Sequence, residues 1–295
     1  MSDLPTTPEA SGGSKHRVAL VVGSGGIKCS AALGLARVLE REGIEIDVYV
    51  GCSGGSIYAA LLALGMPIDE AEAKTKQLWT REIMAKRDTR SILSAVFPKL
   101  LKFKGDLAMV DDGPLNALLK DQLGRFNFED AEKPLHLVAT DFDTGECVVL
   151  SEGPVFDAVR SSTSVPLVWK PWKHNGRTLV DGCLSDPMPV DVAMREGADV
   201  ILAMGFEATL PRRVNTGVRF AYQVTGVYTN NLYRANFSFH NLAHHAEIIP
   251  VIPDMKEHVG LLSTDKIPYC IEEGVRAGED VLPYLRKVLD RPLAA

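Results

Sequence analysis

The stretch from Asp47 to Gly65, DVYVGCSGGSIYAALLALG, changes its periodicity within a few residues. Asp47 to Val50 reads as the end of a strand. From Ser56 onward, Ile57, Ala60, Leu61 and Leu64 recur at helical spacing. Between the two lies Gly51-x-Ser53-x-Gly55. A chain that leaves a sheet and enters an apolar helix within one turn needs flanking residues without a Cβ. Such a G-x-S-x-G turn lifts a serine hydroxyl off the sheet end and sets it at a helix N-terminus. This is the nucleophile elbow, and it predicts acyl transfer through Ser53. The same pattern also describes a glycine-rich turn whose serine merely caps the helix. Both readings require a sheet with a helix packed on it.

The rest of the chain alternates in the same way, which predicts α/β layers around a mostly parallel sheet. Residues 17–22, 198–206 and 246–254 read as strands. Residues 134–153 read as a strand pair around Asp143-Thr144-Gly145, and 172–182 as a hairpin turning at Asn175-Gly176. Helices are expected over 27–42, 66–79, 113–124, 155–166 and 267–289, with 80–105 irregular and basic. Neither a repeat nor an internal linker interrupts 17–289. The expectation is a flexible tail over residues 1–16 and one domain over 17–290.

The chain has 295 residues, 46% of them hydrophobic, enough for a substantial core. Its net charge of −6 argues against a general nucleic-acid binder. The polar N-terminal residues lack a secretory pattern, and no apolar run is long enough to span a bilayer. Five cysteines without framework spacing fit a reducing compartment. Neither CxxC nor HExxH is present, so nothing points to a metal. The expected location is cytoplasmic, with peripheral membrane contact.

A second glycine loop, VVGSGGIKCSAALG (21–34), also joins a strand to a helix. Lys28 replaces the third glycine of a dinucleotide fingerprint, and Ile27-Lys28-Cys29 does not complete a P-loop. Successive backbone N–H groups at a helix start suit an oxyanion, with Lys28 adding positive charge nearby. Two glycine turns would then supply a nucleophile and an anion hole.

A serine nucleophile needs a base. The histidines after the elbow, His136, His174, His240, His244, His245 and His258, lack a glycine-rich or strand-end setting. Asp181 has one, at the end of the strand-like run R-T-L-V before Gly182. A turn aspartate accepting local N–H groups would look the same.

The ordered set G-S-G-G-I-K, G-C-S-G-G, A-T-D-F-D-T-G-E, R-S-S-T-S-V-P and V-D-G-C-L-S-D-P-M-P-V-D resembles the patatin-like phospholipases over roughly residues 17–289. The resemblance implies a three-layer α/β/α fold with a central, mostly parallel sheet, and a Ser–Asp dyad without histidine. It makes Ser53 the nucleophile and Asp181 the base. Ser24, Gly25 and Gly26 become the oxyanion hole, with Lys28, Gly51, Gly55 and Gly182 in support. No cofactor is implied. The sequence departs from the family pattern at Cys29 and Cys183, where glycine, or glycine or alanine, is usual. With Cys52 this places three cysteines near the site, which read as small buried residues rather than as a redox switch.

Residues 81–104 carry seven basic against two acidic side chains, interleaved with Ile92, Leu93, Val96, Phe97, Leu100, Leu101 and Phe103. This pattern suits contact with an anionic membrane. A lid or packed helix with a solvated charged face fits equally. Residues 212–240 combine arginines and aromatics without an acid, as expected of an acyl channel, of packing or of an oligomer contact. The expected activity is lipid acyl hydrolysis of the phospholipase A or lysophospholipase type, with a phospholipid or other acyl ester as substrate. The alternatives are an esterase or thioesterase on soluble acyl esters, and a non-catalytic lipid or small-anion binder with a degenerate site.

Overall fold

Val18 to Val22 are apolar at every position, and the strand they form, β1 (Val18–Val22), is buried on both faces. The computed structural model describes residues 16–80, 83, 86–101, 106–208, 210–211, 213–243, 246–260 and 263–291. After β1 the chain makes α1 (Ala31–Arg41), β2 (Val48–Cys52), α2 (Gly54–Ala63), α3 (Ile68–Leu78), α4 (Thr89–Val96), α5 (Pro98–Leu101) and α6 (Gly113–Leu123). Then come β3 (Leu135–Asp141), β4 (Cys147–Leu150), α7 (Val155–Ser162), β5 (Trp172–His174), β6 (Arg177–Asp181) and α8 (Val190–Arg195). The chain ends with β7 (Val200–Met204), α9 (Gly217–Ala243), β8 (Glu247–Val251) and α10 (Ile267–Leu289).

The eight strands of the described residues join one mixed sheet, with hydrogen-bonded order β5-β6-β3-β2-β1-β7-β8 and β4 paired to β3. The pairs β3–β2, β2–β1, β1–β7 and β7–β8 are parallel. β4, β5 and β6 pair antiparallel. Alternation along the strands splits the core in two. Val18, Leu20 and Val22 face one side with residues of α1, α2, α7 and α10. Ala19 and Val21 face the other side with Val190, Val192 and Ala193 of α8, and Tyr233 of α9 packs against them. This is the three-layer α/β arrangement expected.

One edge of β3 is shared. Cys52 of β2 pairs with Val138, and Asp181 of β6 pairs with Ala139. β4 pairs with Leu137 through Thr140, overlapping both registers, and therefore takes the opposite edge. β2 and β6 thus run toward each other along the same edge and end nose to nose.

The hairpin turn carries positive φ at Asn175 (47°) and Gly176 (76°), as a type I′ turn requires. The helix expected over 27–42 opens instead as a 3-10 turn, Gly26–Ser30, and becomes α-helical at Ala31. Residues 80–105, expected to be irregular, contain α4 and α5. Asp88 caps α4 by accepting the Ser91 N–H at 2.8 Å, and Pro98 opens α5. Residues 1–15 of the expected tail lie outside the described residues, while His16 Nε2 bonds the Arg291 carbonyl at 2.7 Å.

Candidate active site

Ser53 stands between β2 and α2 with φ 54° and ψ −127°. A non-glycine residue at positive φ is strained and persists only where its surroundings hold it. Here the Ser53 N–H donates to Ser162 Oγ at 2.8 Å. Its carbonyl accepts from the Ser56 hydroxyl at 2.6 Å and the Ser56 N–H at 3.0 Å. The two glycines that follow permit close approach. A methyl on Gly55 would lie 2.1 Å from the Val22 carbonyl oxygen, and one on Gly54 would lie 2.6 Å from the Gly26 carbonyl oxygen. The elbow therefore touches the second glycine loop backbone to backbone. Gly51 lies against the backbone of Ser56, and Gly182 against that of Val138.

Ser53 Oγ donates to Asp181 Oδ2 at 2.7 Å. Asp181 Oδ1 accepts the Cys183 N–H at 2.9 Å. The backbone of Asp181 is tied as well: its N–H donates to the Ser164 carbonyl and its carbonyl accepts from Thr140 Oγ1. Asp181 is 0% exposed. Burial pushes its carboxyl up to about 6, with the Cys183 N–H and the Ser53 hydroxyl holding it down in part. The segment R-S-S-T-S at the C-terminal end of α7 thus reaches both residues, through Ser162 and Ser164. It is fastened by Arg160, fully buried, which donates to Asn116 Oδ1, Ser164 Oγ and Asp112 Oδ2. Sequence reading quoted this motif without giving its serines a role.

In the glycine loop, the Ser24 N–H is committed to the Pro187 carbonyl at 2.8 Å. Among the described residues the N–H groups of Gly25 and Gly26 have no acceptor, as befits the start of a helical turn. Of the three residues expected to supply oxyanion donors, Ser24 thus has its N–H occupied, while those of Gly25 and Gly26 are open. Lys28 is buried and donates from Nζ to the Glu207 carbonyl, and burial lowers its ammonium from the usual lysine range. Cys29, Cys52 and Cys183 are buried, and burial pushes all three thiols up. That disfavours thiolates and fits packing residues.

These groups open onto a cavity of about 730 Å³, whose wall includes Ser53, Asp181, Gly25, Gly26 and Lys28. One face of α9, carrying Arg219, Tyr222, Gly226 and Thr229, completes it. His258 is exposed at the rim of this cavity. His136 sits on β3 with Nε2 3.4 Å from Glu196, and His174 lies on β5. His244, His245 and the side chain of His240 lie outside the described residues.

The surface beside the cavity is unusual. α4 turns Ser91 and Ser94 inward, 5% and 8% exposed, while Val96 and Phe97 are 62% and 53% exposed and Leu100 of α5 is 79% exposed. The serines are satisfied inside: Ser91 Oγ accepts the Ala108 N–H and Ser94 Oγ donates to the Ser91 carbonyl. Residues 108–110 bond Leu167 and Val168, two residues on from the cavity-lining Val165. Of the expected positive charges here, Lys86 is paired with Asp111. Arg87, Arg90 and Lys99 are exposed. Arg81, Lys102 and Lys104 lie outside the described residues.

The fold and site define an α/β protein in which a glycine-flanked serine between a strand and a helix hydrogen-bonds a buried aspartate. The chain belongs to the patatin-like phospholipase family, whose sequence profile matches residues 20–194. It is 31% identical over 205 residues to an uncharacterized NTE family protein of Mycobacterium tuberculosis, covering 70% of this chain and 53% of that one. It is 28% identical over 191 residues to patatin-like phospholipase domain-containing protein 7 of Rattus norvegicus, covering 64% of this chain and 13% of that one. The chain thus spans about half the length of the mycobacterial relative. Among solved structures it is similar to VipD from Legionella pneumophila, with TM-score 0.49 and 16% identity over 92% of this chain and 67% of that one.

Proposed function

We propose that residues 17–290 form a lipid acyl hydrolase working through Ser53 and Asp181. The observation that carries this is the 2.7 Å hydrogen bond from Ser53 Oγ to the buried Asp181 carboxylate in the wall of an open cavity. Membership of the patatin-like phospholipase family supports it. Ser53 attacks the ester carbonyl as its proton passes to Asp181. The N–H groups of Gly25 and Gly26 receive the oxyanion, with the Lys28 charge in the same cavity wall. Asp181 returns the proton to the departing alcohol. It then takes one from the water that attacks the acyl-enzyme and passes it to Ser53 Oγ as the fatty acid departs. The proposed substrate is a phospholipid or lysophospholipid.

The α4–α5 face supports a lipid over a soluble ester. A helix that buries serines and exposes valine, phenylalanine and leucine is matched to an apolar phase, and Arg90 and Lys99 suit its anionic surface. No helix among the described residues is long and apolar enough to cross a membrane, so the proposed contact is peripheral. The test is fluorophosphonate labelling followed by fatty-acid release from phospholipid vesicles. Labelling at Ser53 with vesicle hydrolysis is expected. A chain that cannot be labelled at Ser53 overturns the enzyme reading, and turnover confined to short soluble esters overturns the lipid reading.

A further inference from the structure

Arg213 and Arg219 stand in the wall of the cavity that contains Ser53 and Asp181. Arg219 lies in the first turn of α9, where its N–H donates to Thr216 Oγ1 at 3.2 Å. Its Nη1 donates to the Arg213 carbonyl at 3.4 Å and to Asn215 Oδ1 at 3.0 Å. Both acceptors are neutral. Arg160, Arg177 and Arg234 each have a carboxylate within reach. Among the described residues Arg213 and Arg219 have none. Among the described residues of the cavity wall the single carboxyl group is that of Asp181, against the cations Lys28, Arg213 and Arg219.

The cavity face of α9 gives these charges a place. Exposure falls from Arg219, exposed, through Tyr222, half-buried, to Thr229, buried, so α9 runs from the mouth inward. Tyr222 lines the same cavity as Ser53 and Asp181, and burial and the Asp181 carboxyl push its phenol up. Three helical residues advance about 4.5 Å. Arg219 therefore stands about one turn outward of Tyr222 along the same cavity wall.

We propose that Arg213 and Arg219 form an anion subsite at the mouth that takes the phosphate of a glycerophospholipid head group while an acyl ester reaches Ser53. This rests on the reading of Ser53 and Asp181 as an acyl-hydrolase pair. A guanidinium matches phosphate oxygens in a fork that a lysine or a hydroxyl lacks. A neutral acylglycerol offers those arginines no anion, so the subsite favours lipids that carry phosphate.

The test uses the full chain. Calorimetry on Ser53→Ala compares monomeric dihexanoylphosphatidylcholine, dihexanoylglycerol and inorganic phosphate. The phospholipid should bind at least ten-fold tighter than the diacylglycerol. Adding Arg213→Gln and Arg219→Gln should erase that gap; both side chains are exposed, so neither change opens a core cavity. With Ser53 intact, the ratio of kcat/KM for the phospholipid to that for 4-nitrophenyl butyrate should fall ten-fold or more on the same substitutions, through KM. Equal or absent binding of the two lipids overturns the subsite, as does a gap that survives the double substitution. Arginine-dependent binding of inorganic phosphate with the two lipids alike makes it a free-anion site and overturns the head-group assignment. The binding comparison needs no turnover. An inactive chain that keeps the gap fails the hydrolase reading alone, and an active chain without it fails the subsite alone.

Discussion

Cys52 and Asp181 occupy successive positions along a single edge of β3, opposite Val138 and Ala139. The residue after Cys52 is Ser53, so the meeting of Ser53 with Asp181 is prepared by sheet register rather than by a loop. Backbone so placed costs little further ordering when a substrate arrives.

Ser53 and Asp181 should therefore behave as one unit. Ser53→Ala or Asp181→Asn is expected to lower turnover by about 10³-fold or more, with the double variant little worse. His258→Gln, at the cavity rim, should cost far less than either. Steady-state kinetics on purified variants decides this. Robust hydrolysis by Ser53→Ala removes the assignment, and a collapse in His258→Gln restores a histidine base.

The buried carboxyl predicts a pH profile. Asp181, pushed up to about 6, must be ionised to accept a proton. kcat/KM should be level above about pH 6 and fall roughly ten-fold per unit below it. Stability runs the other way. The folded-state value lies above the unfolded one of about 3.9, so the folded chain holds its proton more tightly. This contribution is full below the unfolded value and is lost as pH rises through about 6. Asp181→Asn should remove that slope, so melting temperatures of parent and variant should diverge between pH 4.5 and 7.5 in the variant's favour. Parallel curves would contradict the buried-carboxyl account.

Ser162→Ala should separate positioning from chemistry. It leaves the buried Ser53 N–H without its acceptor, at about 1–3 kcal/mol, and loosens a strained residue. Turnover and the rate of fluorophosphonate labelling should drop by about ten-fold or more, with KM little altered. A variant within two-fold of the parent would show that Ser162 does not hold the elbow.

The α4–α5 face is tested by Phe97→Ser with Leu100→Ser. Both side chains are exposed, so no core is lost. Sedimentation with anionic vesicles should fall at least ten-fold more than turnover of a short soluble ester. Arg90→Gln with Lys99→Gln should weaken binding by about 1 kcal/mol each, and more at low salt. Unaltered sedimentation in both variants would assign this face elsewhere.

The strands β1, β2 and β7 and both glycine turns were legible because their signals are local: an apolar run, a glycine pair, a change of period. Asp181 was legible as a strand-end aspartate. That β6 ends against β2 was not, since it depends on register between segments 128 residues apart. α4 is hard to read because its eight residues make little more than two turns, too short for a period to stand out in a basic stretch. Residues 212–240 are legible as a candidate channel lining, but not which of them face the cavity, since Arg219, Tyr222 and Thr229 share neither hydrophobicity nor charge. Ser162 carried no signal beyond its motif, because a hydroxyl that accepts one backbone N–H resembles any other buried serine.

Gly54 against Gly26 has a consequence for how such a chain can vary. The two turns are read as separate motifs, yet Gly54 has no room for a side chain unless the backbone of Gly26 retreats. A side chain at Gly54 would have to be answered by a shift in its counterpart, so the effects of changes in the two loops should not add. Anyone diversifying this scaffold should therefore randomise the two loops jointly and leave the α9 wall, with its open space, as the place where single substitutions can explore new ligands.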